Sequence, residues 1–243
     1  KVPLAQWALP WRRTDLMPKL TRRQKANIDI AEKGKEAHSI EDAVSLLKTF
    51  PPTKFDQTVE IAIHLSIDPR QADQQLRGAV SLPKGVGKSA NVICFCPSDK
   101  VDAAKAAGAI EAGAEDLIKK IEGGWLDFDV AIASPDMMQF VGKLGRQLGS
   151  KGLMPSPKAC TVTADIETAV AEFAAGKVEY RNDDGGNIHC ILGKMSFSDE
   201  DLVENLTFFL NLVSKARPAA VKGDYIKNCS ISATMTPGVK IAV

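Results

Sequence analysis

The chain has 243 residues, of which 25% are charged and 44% hydrophobic, and its formal net charge is +1. Such a composition excludes a disordered chain, and no run of roughly eighteen apolar residues occurs to span a bilayer, so it reads as a soluble globular protein. Near-neutral charge withholds the bulk basic signature of many nucleic-acid binders and leaves that function to a local patch. Five cysteines, with only Cys94 and Cys96 close together, form neither a disulfide framework nor zinc knuckles; reduced thiols in a cytosol-like compartment fit them, and no metal is expected.

Residues 1–16 hold two tryptophans, two prolines and Arg12-Arg13 without helical or strand periodicity, and read as a disordered N-terminal appendage. Met17-Pro-Lys-Leu-Thr-Arg-Arg23 resembles a natural start, and Lys19 to Lys25 carries four basic residues that suit a solvated terminus or an arm on phosphate. Ser39 supplies an N-cap and Glu41 and Asp42 first-turn acids for a short amphipathic helix that ends before Pro51-Pro52. Val59, Ile61, Ile63, Leu65 and Ile67 then alternate with polar residues, which predicts a strand with one buried face and His64 on the other.

Two segments look like joints. Leu82-Pro-Lys-Gly-Val-Gly87 and Gly142 to Lys158 are dense in glycine and proline, and in the second Gly149 and Gly152 permit positive φ while Pro155 and Pro157 force an extended crossing. The joints predict a domain of residues 84–154 inserted into another, with both crossings adjacent. Within it, Gly85-Val-Gly-Lys-Ser89 imitates the end of a phosphate-binding loop, the basis of a competing nucleotide-binding enzyme reading. Leu82 stands where the first glycine belongs, however, and the predicted strand Asn91–Cys96 follows where a helix is needed. Helices predicted over 101–107, 115–121 and 135–148 alternate with strands at 91–96 and 130–133, which indicates a three-layer α/β, Rossmann-like unit with a parallel sheet.

After the second joint, a helix is expected at 166–175, then strands 177–181 and 188–192 as a hairpin around Asn182-Asp-Asp-Gly-Gly186. A long helix over 199–215 and a β-rich stretch from Tyr225 to Gly238, exposing small hydroxyls, complete the chain. The outer unit, residues 17–83 and 155–243, is thus α+β, with helices on one face of a mostly antiparallel sheet. His38, His64 and His189 stand in no triad or metal-ligand spacing, so no catalytic residue is assigned.

Several motifs in one order, from about Met17 to Val239, carry a resemblance. They are Lys54 to Glu60, Asp73-Gln74 with Arg77-Gly78, Phe128-Asp129 with Ser134-Pro135-Asp136, Gly149 to Pro157, Tyr180 to Asp183, and Thr234-Met235. Together they resemble the family of large-subunit ribosomal protein one. The resemblance implies a non-enzymatic, cofactor-free cytoplasmic protein, monomeric when free. It would form with large-subunit rRNA the mobile stalk beside the tRNA exit site, assist release of deacylated tRNA and repress its own operon messenger. RNA-contacting positions carried over fall on Phe55, Thr58, Asn182, Asp183, Ser232, Thr234, Met235 and Gly238, expected on one face, with Lys54 suited to phosphate. The hinge would comprise Leu82, Pro83, Gly85, Gly149, Gly152, Met154 and Pro155. Asp184, Thr236 and Ser150 depart from the family's usual lysine, glycine and proline, and Thr236 puts close RNA approach in question because only glycine lacks a Cβ.

Overall fold

The computed structural model describes residues 21–242; the appendage at 1–16 and the start at Met17 lie outside them. In chain order the elements are α1 (Arg22–Lys33), α2 (Ile40–Lys48), β1 (Thr58–Leu65), β2 (Arg77–Val80), β3 (Val92–Phe95), α3 (Val101–Ala106), β4 (Glu111–Gly113), α4 (Glu115–Glu122) and β5 (Val130–Ala133). There follow α5 (Met138–Val141), α6 (Gly145–Ser150), α7 (Ile166–Ala174), β6 (Val178–Arg181), β7 (Asn187–Lys194), α8 (Asp199–Lys215), β8 (Ile226–Ala233) and β9 (Val239–Ile241).

The alternation in β1 decides the larger sheet. Val59, Ile61, Ile63 and Leu65 are buried, while Glu60 is exposed and Thr58, Ala62 and His64 are half-buried. β1 lies between β7 and β8 in the order β7-β1-β8-β9, every pair antiparallel. On its buried side pack Ala43, Val44 and Leu47 of α2 and Leu202, Leu206, Phe209, Leu210 and Val213 of α8. Both helices begin with a serine whose hydroxyl accepts an amide of the first turn, Ser39 from Asp42 and Ser198 from Asp201. α2 and α8 cover only this side, so the opposite face carries the polar half of the alternation.

The second sheet is parallel, in the order β4-β3-β5. Against one face lie Leu117, Ile118 and Ile121 of α4, Val141 of α5 and Leu148 of α6; against the other lie Ala104 of α3 and Ile166, Val170 and Phe173 of α7. The mixed α/β content thus follows the sequence pattern. Helices lie on both faces of this sheet, and one of them is not among those expected there. α7 was assigned with the chain termini, beyond residue 155, yet its apolar face packs on the parallel sheet. Residues 161–163 also join that sheet's edge: Ala133 N–H donates to Thr161 O (2.9 Å) and Thr163 N–H to Ala133 O (3.2 Å).

Consequently the glycine- and proline-rich stretch 142–158 is not where the chain leaves this sheet. Leu153 and Met154 pack on its core, Pro155 is buried, and Gly149 lies inside α6, without the positive φ expected of it. Gly152 does have positive φ, at 74°. Punctuation by glycine and proline reports loop chemistry, but burial of Ile166, Val170 and Phe173 decides which core the next helix joins. After α7 the chain reaches Gly176 (φ 105°), where a Cβ would stand 2.7 Å from Val86 Cγ2 in the first glycine-rich stretch.

The expected hairpin also divides. β6 pairs with β2 in a separate two-stranded sheet and β7 pairs with β1, leaving the bridge Asn182–Ile188 between them. The helix expected over 135–148 is broken into short pieces around Gly142. α1 was not anticipated; it starts in a capping box, with Gln24 N–H donating to Thr21 Oγ1 and Thr21 N–H to Gln24 Oε1.

Candidate nucleic-acid interface

The uncovered face of the antiparallel sheet is built by register. Glu60 stands opposite Ser232 and Ile191, Ala62 opposite Ser230 and His189, and His64 opposite Asn228 and Asn187. A register shift between Val59 and Glu60 brings Thr58 opposite Lys194, whose Nζ donates to Thr58 Oγ1 at 2.8 Å. Hydroxyls, amides, a carboxylate and two imidazoles thus line a strand surface with donors and acceptors suited to 2′-hydroxyls and base edges.

At the Thr58 end three segments are knitted together. Thr58 N–H donates to Thr234 Oγ1 (3.1 Å), and Thr234 N–H returns a bond to Thr58 O (3.1 Å). Gln57, buried at 3% exposure, accepts from Met235 N–H through Oε1 (2.9 Å) and from Met195 N–H through its carbonyl (2.9 Å). These bonds fix the backbone and leave two large apolar side chains outward: Phe55 is 53% and Met235 51% exposed. Lys54 beside them is exposed and joins no ion pair among the described residues. Gln57 and Lys194 escaped sequence reasoning, Gln57 because it falls between the polar Asp56 and Thr58 and Lys194 because only the register shift brings it to Thr58.

Asn182 and Asp183 lie elsewhere. They belong to the turn at the His64 end of β1, about 20 Å from Thr58 at ~3.3 Å per strand residue. Asp183 Oδ1 accepts from Gly185 N–H (2.9 Å) and Asn187 N–H (2.7 Å), and Oδ2 from Asn187 Nδ2 (3.0 Å). Those bonds, the Asn187 side chain first, hold its carboxyl below the usual carboxylate range. Asn182 accepts Leu76 N–H at 2.8 Å. Their side chains therefore organise the turn, and the expected single cluster becomes two groups at opposite ends of one sheet. Gly238 is exposed just before β9, where a Cβ would stand 3.9 Å from Ser230 Cβ.

The first crossing is held to α8. Asn205, fully buried, accepts Lys84 N–H (3.1 Å) and donates to Gly85 O (3.1 Å) and Leu192 O (2.8 Å). Lys84 Nζ also lies 3.4 Å from Asp201 and Glu204, and those hydrogen bonds raise its pKa. Leu82 is buried in the same core as α8, and Pro83 is exposed. After Ser89 the chain runs into β3, so the Gly85 to Ser89 segment opens no helix on which a phosphate could rest.

Residues 47–237, well over half of the chain, match the Ribosomal protein L1p/L10e family. The chain belongs to this family. A ribosomal, RNA-binding role in translation comes with membership, and the L1p/L10e match spans every candidate contact except Gly238, one residue beyond it. The family is non-enzymatic, and among the described residues no group of three His, Cys, Asp or Glu side chains could hold a metal ion. Nor is any described helix long and apolar enough to cross a membrane. The L1p/L10e departure at Thr236 is accommodated: its hydroxyl accepts Ala233 N–H (2.9 Å) and its N–H donates to Ala233 O (3.0 Å), closing the turn that presents Met235. Ser150 ends α6 with its hydroxyl donating to Gln147 O (3.0 Å), and Asp184 is exposed at the 182–186 turn.

Proposed function

We propose that the two ends of the chain build a unit around the antiparallel sheet that grips large-subunit rRNA through its uncovered face. The residues around the parallel sheet form a second, inserted unit that moves against the first. With its rRNA segment the protein makes the mobile stalk beside the tRNA exit site and assists release of deacylated tRNA. By binding its own operon messenger through the same face, it represses its own translation. Free in the cytoplasm it is a monomer; otherwise it is ribosome-bound.

The observation that carries this reading is the end of the sheet at Thr58. In a family of ribosomal RNA-binding proteins, two half-exposed apolar side chains, Phe55 and Met235, stand on a backbone locked by Gln57 and Thr234, beside the exposed Lys54. Apolar contact suits sugars and unstacked bases, and lysine suits phosphate. A gel-shift titration with stalk rRNA and with scrambled RNA of equal length tests it. The reading requires clear preference for stalk rRNA, and equal affinity for the two would overturn it.

A further inference from the structure

Between the uncovered face and the parallel sheet lies a cleft of about 440 Å³. That volume is within the roughly 300–1,000 Å³ of pockets that enclose small molecules, and a single nucleotide is a group of that size. Thr58 and Lys194, bonded to each other on the candidate RNA face, are among the residues that line it, so the cleft adjoins that face. Apolar walls come from both sides: Ile191 from β7, and Val130, Leu153 and Met154 from the parallel sheet and the stretch packed on it.

Charge in the cleft is unevenly satisfied. The two wall carboxylates are already engaged, Glu179 by Arg77 (2.8 Å) and Asp129 by Lys88 (3.4 Å) and Asn91 N–H (3.0 Å). Lys177 pairs with Glu172 at 2.7 Å. Arg181 and Lys194, by contrast, line the same cavity with no carboxylate partner among the described residues; Lys194 meets only a hydroxyl. A cavity with apolar walls and two uncompensated cations, one of them bonded to Thr58 of the candidate face, suits an unstacked base and its flanking phosphates.

We propose that one nucleotide of the RNA bound on the uncovered face turns into this cleft, its base against Leu153, Met154, Val130 and Ile191 and the phosphates on its two sides at Arg181 and at Lys194. The proposal rests on the rRNA-binding reading. It gives the inserted unit a direct hold on RNA, so binding and closure of the two units are coupled.

The test is the affinity of the full chain for stalk rRNA at several salt concentrations, in the parent, Arg181→Ala, Ala90→Trp and Met235→Ala. Ala90 lines the cleft and is half-buried, so tryptophan there fills the space. Arg181→Ala should weaken binding about tenfold and lower the salt slope by about one unit, as loss of one phosphate contact does. Ala90→Trp should weaken it without changing the slope. Should the tryptophan lower thermal stability, Ala90→Glu, which sets a carboxylate where phosphate belongs, replaces it. If both cleft variants bind like the parent while Met235→Ala loses affinity, the cleft holds no RNA and the proposal is overturned with the face reading intact. If Met235→Ala also binds like the parent, the face reading itself fails and takes the proposal with it.

Discussion

Thr234 and Met235 are neighbours in sequence but do different work. The Thr234 hydroxyl already accepts Thr58 N–H, so Thr234→Val should lower stability by about 1 kcal/mol as well as any RNA affinity, which makes it a poor probe of recognition. Met235 contributes only its backbone N–H to the fold. Met235→Ala should therefore leave thermal unfolding within about 0.5 kcal/mol of the parent and weaken stalk rRNA roughly tenfold; a loss of stability without loss of affinity would count against its role. Asp183 predicts a pH effect. Its carboxyl is depressed in the fold, so its stabilising effect is present above the unfolded value of about 3.9 and is lost as pH falls through the lower folded value. Amide exchange at Gly185 and Asn187 should accelerate below about pH 4 in the parent, and Asp183→Asn should abolish that acid step; an unchanged step would reassign it. At this scale the outward residues Phe55, Met235 and Lys54 came from the family resemblance, since all three lie outside the alternating positions of β1 and β8. Sequence reasoning missed Gln57 and Lys194, whose roles depend on pairings across 178 and 136 residues of chain.

Among elements, the strong periodic ones were legible. α2, β1 and α8 lie where their apolar spacing puts them, whereas α1 was missed, although its capping-box residues Thr21 and Gln24 stand three apart. β6 and β7 were not, because local turn chemistry around Asp183 is the same whether flanking strands pair or diverge to different partners. The crossings give a sharp contrast. Gly149 lies inside α6, and a Cβ there meets nothing within 4 Å, so Gly149→Ala should be neutral or stabilise by up to ~1 kcal/mol. Gly176→Ala would force Cβ into Val86 at positive φ and should destabilise by about 1–3 kcal/mol. Chemical denaturation of the two variants decides which glycine marks the return crossing; equal effects would contradict this placement. Asn205→Leu would leave Lys84 N–H, Gly85 O and Leu192 O without their partner. At about 1–3 kcal/mol for a buried unsatisfied group, the loss should be at least ~2 kcal/mol. Energy transfer between labels on the two units should also show a broader distance distribution, and an unchanged one would mean that Asn205 does not anchor the crossing.

For the whole molecule, a discontinuous arrangement is an expectation drawn from two joints; the structure sets Gly176 against Val86 of the first joint. What the sequence could not give is that α7 turns its apolar face to the parallel sheet, since an amphipathic stripe says that a helix is covered and not by which sheet. The choice of cut follows from that. Removing residues 84–154 would leave Ile166, Val170 and Phe173 without their sheet, whereas removing 87–175 takes the parallel sheet and all its helices together. The central claim, that RNA is gripped by the uncovered antiparallel face, is tested most directly by joining residues 1–86 to 176–243 through a short glycine-serine linker. Stalk rRNA and scrambled RNA are then titrated against the folded product, checked by circular dichroism. The account predicts that the truncated protein still prefers stalk rRNA, at an affinity reduced about tenfold by loss of the cleft, and that adding Met235→Ala weakens it further. A folded product that binds both RNAs equally would contradict it.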